Sequence, residues 1–317
     1  MTVETQVEAP PDTVGADKGG PRKPGLLRVQ RVPRPKPSPR SMLVSYALSL
    51  LSLLVICIVL NLTVISQFQH WTAQRKLYGE LRVALAGTSS PIGQTDLNGN
   101  LTPLGTPIAL LDVPKLGIHE VVVEGSTSTQ TKVAVGHRRD TVMPGQSGVS
   151  ILMGRQYAYG GVFGSIDQLK AGDAITVTTG QGVARYRVIG PRLKTVHVPS
   201  PTAGHGLLML MTATGFPFIP NGSLIVDAQL VSKAFPSPPA VIKGNGVSAA
   251  EMPMAGDDSG LVALSWLMEL LVLLAILAVF AWKLWDRRAA WIVFFPLILA
   301  TTLACADKIC VLLPNML

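Results

Sequence analysis

Three cysteines are available as thiolate nucleophiles or metal ligands, and their placement argues against both uses. Cys57, Cys305 and Cys310 each lie in an apolar run, and none falls between residues 58 and 304. No CxxC or Cys/His metal spacing occurs, so no metal or cofactor is expected. A serine nucleophile fares no better: the stretch from Gly145 to Ser150, GQSGVS, lacks the G-x-S-x-G register of a nucleophile elbow. Asp96-Leu-Asn-Gly-Asn100 has the residue types of a calcium loop, but its glycine comes too early, and it reads as a turn. His119, His197 and His205 read as ordinary loop or strand histidines. Ionisable residues within apolar stretches remain: Glu269, and Lys308 beside Asp307. Charge is costly there and calls for a partner. Either Glu269 and Lys308 pair between two helices at comparable depth, or Asp307 and Lys308 reach out to lipid headgroups.

The elements that must position these residues divide between lipid and water. Of 317 residues only 15% are charged against 48% hydrophobic, with mean hydropathy +0.39, whereas soluble domains carry nearer a quarter charged residues. Net charge is +8, but Lys18, Arg22, Lys23, Arg28, Arg31, Arg34, Lys36 and Arg40 crowd the Pro-rich arm 1–41 instead of one folded face. That is a positive-inside signal, and no nucleic-acid partner is expected. The arm, lacking an apolar period, is expected to be disordered and cytoplasmic. From Met42 to Ser66 no charge occurs. At about 1.5 Å per residue this run crosses a hydrocarbon core of about 30 Å. No small-x-small cleavage site follows, so it reads as an uncleaved anchor, transmembrane helix 1 at 42–66. A membrane-proximal stalk at 67–105 contains Leu77, Leu81 and Leu85 at helical spacing, with Trp71 and Tyr78 placed for the interface.

Beyond residue 105 the texture is β-rich. Runs at 107–113, 120–125, 147–154, 174–179, 184–190, 193–198, 207–213 and 223–230 alternate with turn residues, as in an all-β barrel or sandwich over 106–231. A Pro/Gly-rich tether follows at 232–260. Apolar helices at 261–282 and 291–313 enclose a loop, 283–290, in which Lys283, Arg287 and Arg288 mark the cytoplasmic side. The expected protein sits in a bacterial plasma membrane through three spans, with its N-terminus cytoplasmic and its β-domain outside.

The β-domain resembles the sortase family, and within it the actinobacterial class E type. Three blocks carry the likeness: IALLDVPKLGIHEVVVEG from Ile108, GHRRDTVMPGQSGVSILMGRQYAYGGVFGSIDQLKAGDAITV from Gly136, and LLMLMTATGFPFIPNGSLIVDAQLV from Leu207. The resemblance implies an extracytoplasmic β-barrel of about eight strands. It also implies a cysteine that attacks the Thr–Gly bond of an LPxTG-like signal, a histidine acid/base and an arginine supporting the oxyanion. At those positions this sequence holds Ala213 for Cys, Arg155 for His and Ser223 for Arg. His137 belongs to an upstream GH segment, where a turn or rim hydrogen bond is its expected role. Thr212 and Thr214 flank Ala213, but a threonine hydroxyl needs a base, and a guanidinium cannot act as one.

The expectation from the resemblance is therefore a pseudo-sortase that is no enzyme. Such a domain is a binding or scaffold module for a secreted peptide, an envelope precursor or a membrane-protein partner. Arg155, Thr212, Thr214, Phe216 and Phe218 are its candidate groove residues. In that groove Arg155 either contacts an anionic group in bidentate fashion or fills an exposed strand end. Two alternatives stand beside this reading. One is a structural subunit assembling through the C-terminal hairpin, whose Ala300, Thr301, Thr302 and Ala304 suit close helix contact. The other is residual transpeptidase or hydrolase activity on LPxTG-like signals.

Overall fold

The computed structural model describes residues 39–96, 98–193, 204–216, 219–243, 246–285 and 287–317. Helix α1 (Pro39–Leu60) runs through a π-helical turn, Asn61–Ile65, into α2 (Ser66–Ala86). The expected stalk helix around Leu81 is thus the continuation of the first apolar helix. Its polar face is fastened to the β-domain. His70 Nε2 lies 3.1 Å from Glu120 Oε2, and Gln74 accepts from Val121 N at 2.8 Å while donating to Val133 O at 3.1 Å.

Eight strands close into a barrel. They are β1 (Pro107–Val113), β2 (Ile118–Glu124), β3 (Val135–His137), β4 (Gly148–Met153), β5 (Ala174–Thr179), β6 (Gly182–Leu193), β7 (Gly206–Phe216) and β8 (Ile219–Leu230). Around the barrel the order is β1-β2-β3-β4-β7-β8-β6-β5, with β5 pairing back onto β1. The β2–β3 and β4–β7 pairs are parallel and the remainder antiparallel. Between β2 and β3 lies a short helical turn, α3 (Ser128–Thr131), capped by the Thr127 hydroxyl.

Strand alternation builds the core. On β6, Ala184, Tyr186 and Val188 turn inward to join Ile108, Leu111, Leu208 and Leu210, while Arg185 and Arg187 face out. The buried Tyr186 hydroxyl accepts from Gly145 N at 2.5 Å. Gly145 has φ +94°, and a Cβ there would stand 2.7 Å from the Phe235 ring, so both backbone and packing demand glycine. Phe235 N in turn donates to Gly145 O at 2.8 Å. The Pro/Gly-rich segment after β8 is thereby laid along the barrel, and further on Gln94 Oε1 accepts from Val241 N and Ile242 N, each at 2.7 Å.

Two helices close the chain, α4 (Leu261–Leu284) and α5 (Arg287–Leu312). Together with the first helix they make, among the described residues, three long enough and apolar enough to cross a membrane. The all-β barrel plus three apolar helices expected from the sequence is the observed fold. Within it, β3 lies where no strand was expected, and the runs at 184–190 and 193–198 are one strand as far as residue 193, with 194–198 outside the described residues.

Candidate peptide groove on the barrel

Residues of β4, β7 and β8 that point away from the barrel interior form a second apolar layer. Ile151 and Met153, then Leu207, Met209, Met211 and Ala213, then Ile225 make its floor. Parallel pairing of β4 with β7 runs from Gly148↔Gly206 to Met153↔Met211, and the next link is Gly154 N donating to Met211 O at 3.0 Å. Past that point the two backbones separate, and their amides need other acceptors. Both Gln156 N, at 3.0 Å, and Ala213 N, at 3.4 Å, donate to one oxygen, the carbonyl of Met316. The segment 314–317, which follows α5, therefore lies across the floor, with the Met316 side chain fully buried in it.

Neighbouring loops hold that segment in place. The Asn315 carboxamide donates to Ser126 O at 2.7 Å and to Met252 O at 2.9 Å, and Asn315 N donates to Ala255 O at 2.8 Å. Ser128 Oγ donates to Leu313 O at 3.1 Å, and Lys132 is ion-paired with Asp307 of α5. Asp257 accepts from the Thr127 and Thr129 hydroxyls and from Ser259 N. Burial opposes its ionisation, but these donors outweigh it and hold the carboxyl below its ordinary value.

Each position singled out by the family likeness can now be located. Ala213 and Ser223 are direct cross-strand partners, so they share a sheet face, the groove floor. Ser223 is buried, and its hydroxyl has no partner among the described residues. Arg155 departs from the expectation of an exposed strand end, being 1% exposed. Its Nη2 donates to Ser128 O at 3.1 Å and Ser128 Oγ at 2.7 Å, its guanidinium carbon sits 4.9 Å from the Tyr159 ring centroid, and Nε and Nη1 have no partner among the described residues. The side chain turns under the α3 corner because β4 has ended two residues earlier. Burial lowers its pKa to about 10, and burial likewise pushes the Tyr159 phenol far up.

Thr212 is buried on the strand face it shares with Leu208 and Leu210, opposite to Ala213, so it does not line the groove. Thr214 is half-buried at the bulge before Gly215, Phe216 is 79% exposed at the strand end, and Phe218 lies outside the described residues. His137 is not at a rim. It is wholly buried with Nδ1 2.9 Å from Glu124 Oε2.

Glu269 and Lys308 do not form an ion pair among the described residues. Lys308 lies level with Gly260, its Cδ 3.8 Å from where a Cβ would stand, and the Gly260–Glu269 span puts Glu269 roughly 13 Å farther down α4. The ion pair at that end of α5 is made by Asp307. Thr301 and Thr302 are buried within the chain, bonding to Leu297 O and Ile298 O. Gln156, Asn315, Met316 and Ser128 complete the groove and carry no sequence signal, since their meeting depends on where α5 ends.

A barrel with this strand order, grooved over β4 and β7, is a sortase-like domain, and comparison with known proteins agrees. Residues 111–231 match the family model described as a sortase domain. Over 121 residues the chain is 24% identical to Sortase D of Bacillus subtilis (strain 168), a match covering 38% of this chain and 60% of that protein. Among solved structures it is similar to a Clostridium perfringens Sortase D5 transpeptidase (24% identity, 51% of this chain and 99% of the other, TM-score 0.42). It is also similar to sortase E from Streptomyces avermitilis (25% identity, 41% and 91%, TM-score 0.35).

These comparisons overturn the expectation that the chain is no enzyme. The matched family model is that of sortase domains and the curated relative is a sortase, and nothing in the structure shows inactivity. The expectation rested on residue types at three positions, which do not measure a rate. The groove retains the Ser223 hydroxyl beside Ala213 and two main-chain amides converging on a carbonyl oxygen, the type of arrangement that stabilises developing negative charge.

Proposed function

We propose that this chain is a membrane-anchored envelope protein whose sortase-like barrel binds an extended peptide along the β4–β7 groove. The observation that carries the reading is the pair of amides, Gln156 N and Ala213 N, sharing one peptide carbonyl above an apolar floor. Main-chain donors supply affinity for any extended peptide, and the floor selects its side chains. A secreted peptide, an envelope precursor or an exposed segment of a membrane protein has that form. Class E kinship is supported by the GHRRD, MGRQ and F-x-x-I-x-x-L-x-x-GD blocks from Gly136 to Asp173.

For the chain as a whole the arrangement follows the charge pattern. The arm 1–41 and the loop 283–290 lie in the cytoplasm, and the barrel 106–231 lies outside, carried by spans at 42–66, 261–282 and 291–313, with 67–105 and 232–260 as connecting segments. Basic residues at 18–40 and at Lys283, Arg287 and Arg288 support this orientation. The exposed Phe216 and Ile219 at the β7–β8 turn offer an apolar rim for the same peptide or its parent protein.

The test uses the full chain in lipid nanodiscs with a fluorescent LPxTG-type peptide and a scrambled control, titrated to millimolar concentration. Saturable binding that Ala213→Phe abolishes, without loss of thermal stability, is the expected result. Binding indifferent to Ala213→Phe would sink the groove assignment. Peptide masses after incubation report whether transfer or hydrolysis follows binding.

A further inference from the structure

The groove contains a peptide already, and that peptide belongs to the chain itself. We propose that the segment 313–317 is a resident ligand, a strap continuous with α5, and that an incoming peptide must displace it. The proposal rests on the peptide-binding reading above and specifies both the regulation of that site and the class of ligand it selects.

Three independent features of the segment make it an occupant instead of a loose end. Its main chain is read by the groove, with Gln156 N and Ala213 N on the Met316 carbonyl. One side chain is read by polar atoms, since the Asn315 carboxamide donates to the Ser126 and Met252 carbonyls. The next is read by shape: Met316, 0% exposed, packs on a floor containing Met153, Met209 and Met211. Unbranched, polarisable methionines adapt to one another and to other flexible apolar guests. Ala213 contributes only a methyl group, which leaves room there for a long side chain.

The resident segment also describes its competitor. A displacing ligand is an extended peptide with a carboxamide side chain, followed by an unbranched apolar residue whose carbonyl enters the two-amide cradle. The strap is tied to the membrane helix by its own covalent path and by contacts that leave with it. Ser128 Oγ bonds to the Leu313 carbonyl, and Asn315 N bonds to Ala255 O. Displacement would thus loosen the end of α5, which keeps its Lys132–Asp307 ion pair to the barrel, so occupancy of the groove and the packing of α5 are coupled. A ligand's apparent affinity is its intrinsic affinity multiplied by the fraction of time the strap is out.

Two measurements on the full chain in nanodiscs test this. Gln156→Cys with Met316→Cys should form a 156–316 disulfide under mild oxidation, identified by peptide mapping, because the amide–carbonyl contact sets the two backbones side by side. Separately, a labelled Val-Leu-Leu-Pro-Asn-Met-Leu peptide is titrated against wild type, Asn315→Ala and Asn315→Ala/Met316→Glu. Release of the strap is expected to tighten binding at least about tenfold, the change for a strap seated nine-tenths of the time, and the disulfide is expected to abolish it. Thermal melts show whether each variant remains folded, and Asn315→Ala serves if the double variant does not. Absence of the 156–316 linkage overturns the strap. Equal affinity in wild type and both released variants overturns gating while leaving peptide binding in place. No binding even to a folded, released variant removes the peptide-binding reading and the strap's role with it.

Discussion

Replacing Glu124 by glutamine is expected to erase a pH dependence from the stability of the β2–β3 corner, the corner that carries Ser126 and Ser128 to the groove. Glu124 and His137 are both 0% exposed, with Oε2 2.9 Å from Nδ1. His137 Nε2 lies 3.0 Å from the Val142 carbonyl, which only accepts, so Nε2 carries a hydrogen. Nδ1 facing a carboxylate then carries a second, and the ring is a cation. Burial works against that cation, but the charge and hydrogen bond of Glu124, helped by Val142 and Asp140, outweigh it, and the pKa is raised above 6.5. The sign follows from a folded-state value above the unfolded one. The stabilisation is complete below about pH 6.5 and disappears as pH rises through the folded-state pKa. Between the two values the opening free energy falls by about 1.4 kcal/mol per pH unit.

Glutamine can donate its Nε2–H to the Nδ1 of a neutral ring, so the variant keeps the contact without the proton. Its expected cost at low pH is about 1–3 kcal/mol, and its pH slope is expected to vanish. Glutamine and alanine at this place both remove the charge 3.8 Å from Arg139 Nε, but the alanine variant also strands the buried ring without a hydrogen-bond partner at Nδ1. That variant is expected to lose about 3–5 kcal/mol. The assay is hydrogen exchange by mass spectrometry on peptides covering 133–142, from about pH 6 to about pH 8.5, with intrinsic rates corrected. An identical slope in wild type and Glu124→Gln would refute the proton assignment.

Two further perturbations follow from the same packing. Arg155→Met removes a buried cation that, among the described residues, has no carboxylate partner and two unpartnered nitrogens, so the melting temperature is expected to hold or rise, by about 1 kcal/mol of stability or more; a loss on the order of 3 kcal/mol would mean that the guanidinium is compensated by something other than Ser128 and Tyr159. Gly136→Ala puts a Cβ 2.6 Å from the Gly125 carbonyl oxygen and 3.1 Å from Ser126 Cα, both backbone, and is expected to cost about 1–3 kcal/mol, with faster exchange in β3 and weaker holding of the Asn315 carboxamide.

What the sequence determined by itself is whatever is written in local pattern. Apolar length specified the three helices, and β-rich runs between turn residues specified the strands. Blocks in the right order specified a sortase-like barrel. β3 escaped because three residues, Val135–His137, carry too short a pattern to register, and their pairing is with distant partners in β2 and β4. The direction of the Arg155 guanidinium, the pairing of His137 with Glu124 and the face on which Thr212 lies were beyond any motif, because each depends on which strands become neighbours. Likewise the charged residues near the end of α5 read as partners for α4, whereas Asp307 meets Lys132 of the barrel. The occupant of the groove was the least legible of all. Nothing in Pro-Asn-Met-Leu marks it as a ligand. It becomes one because α5 ends beside the point where β4 leaves β7, and the two amides freed there must find an oxygen away from water.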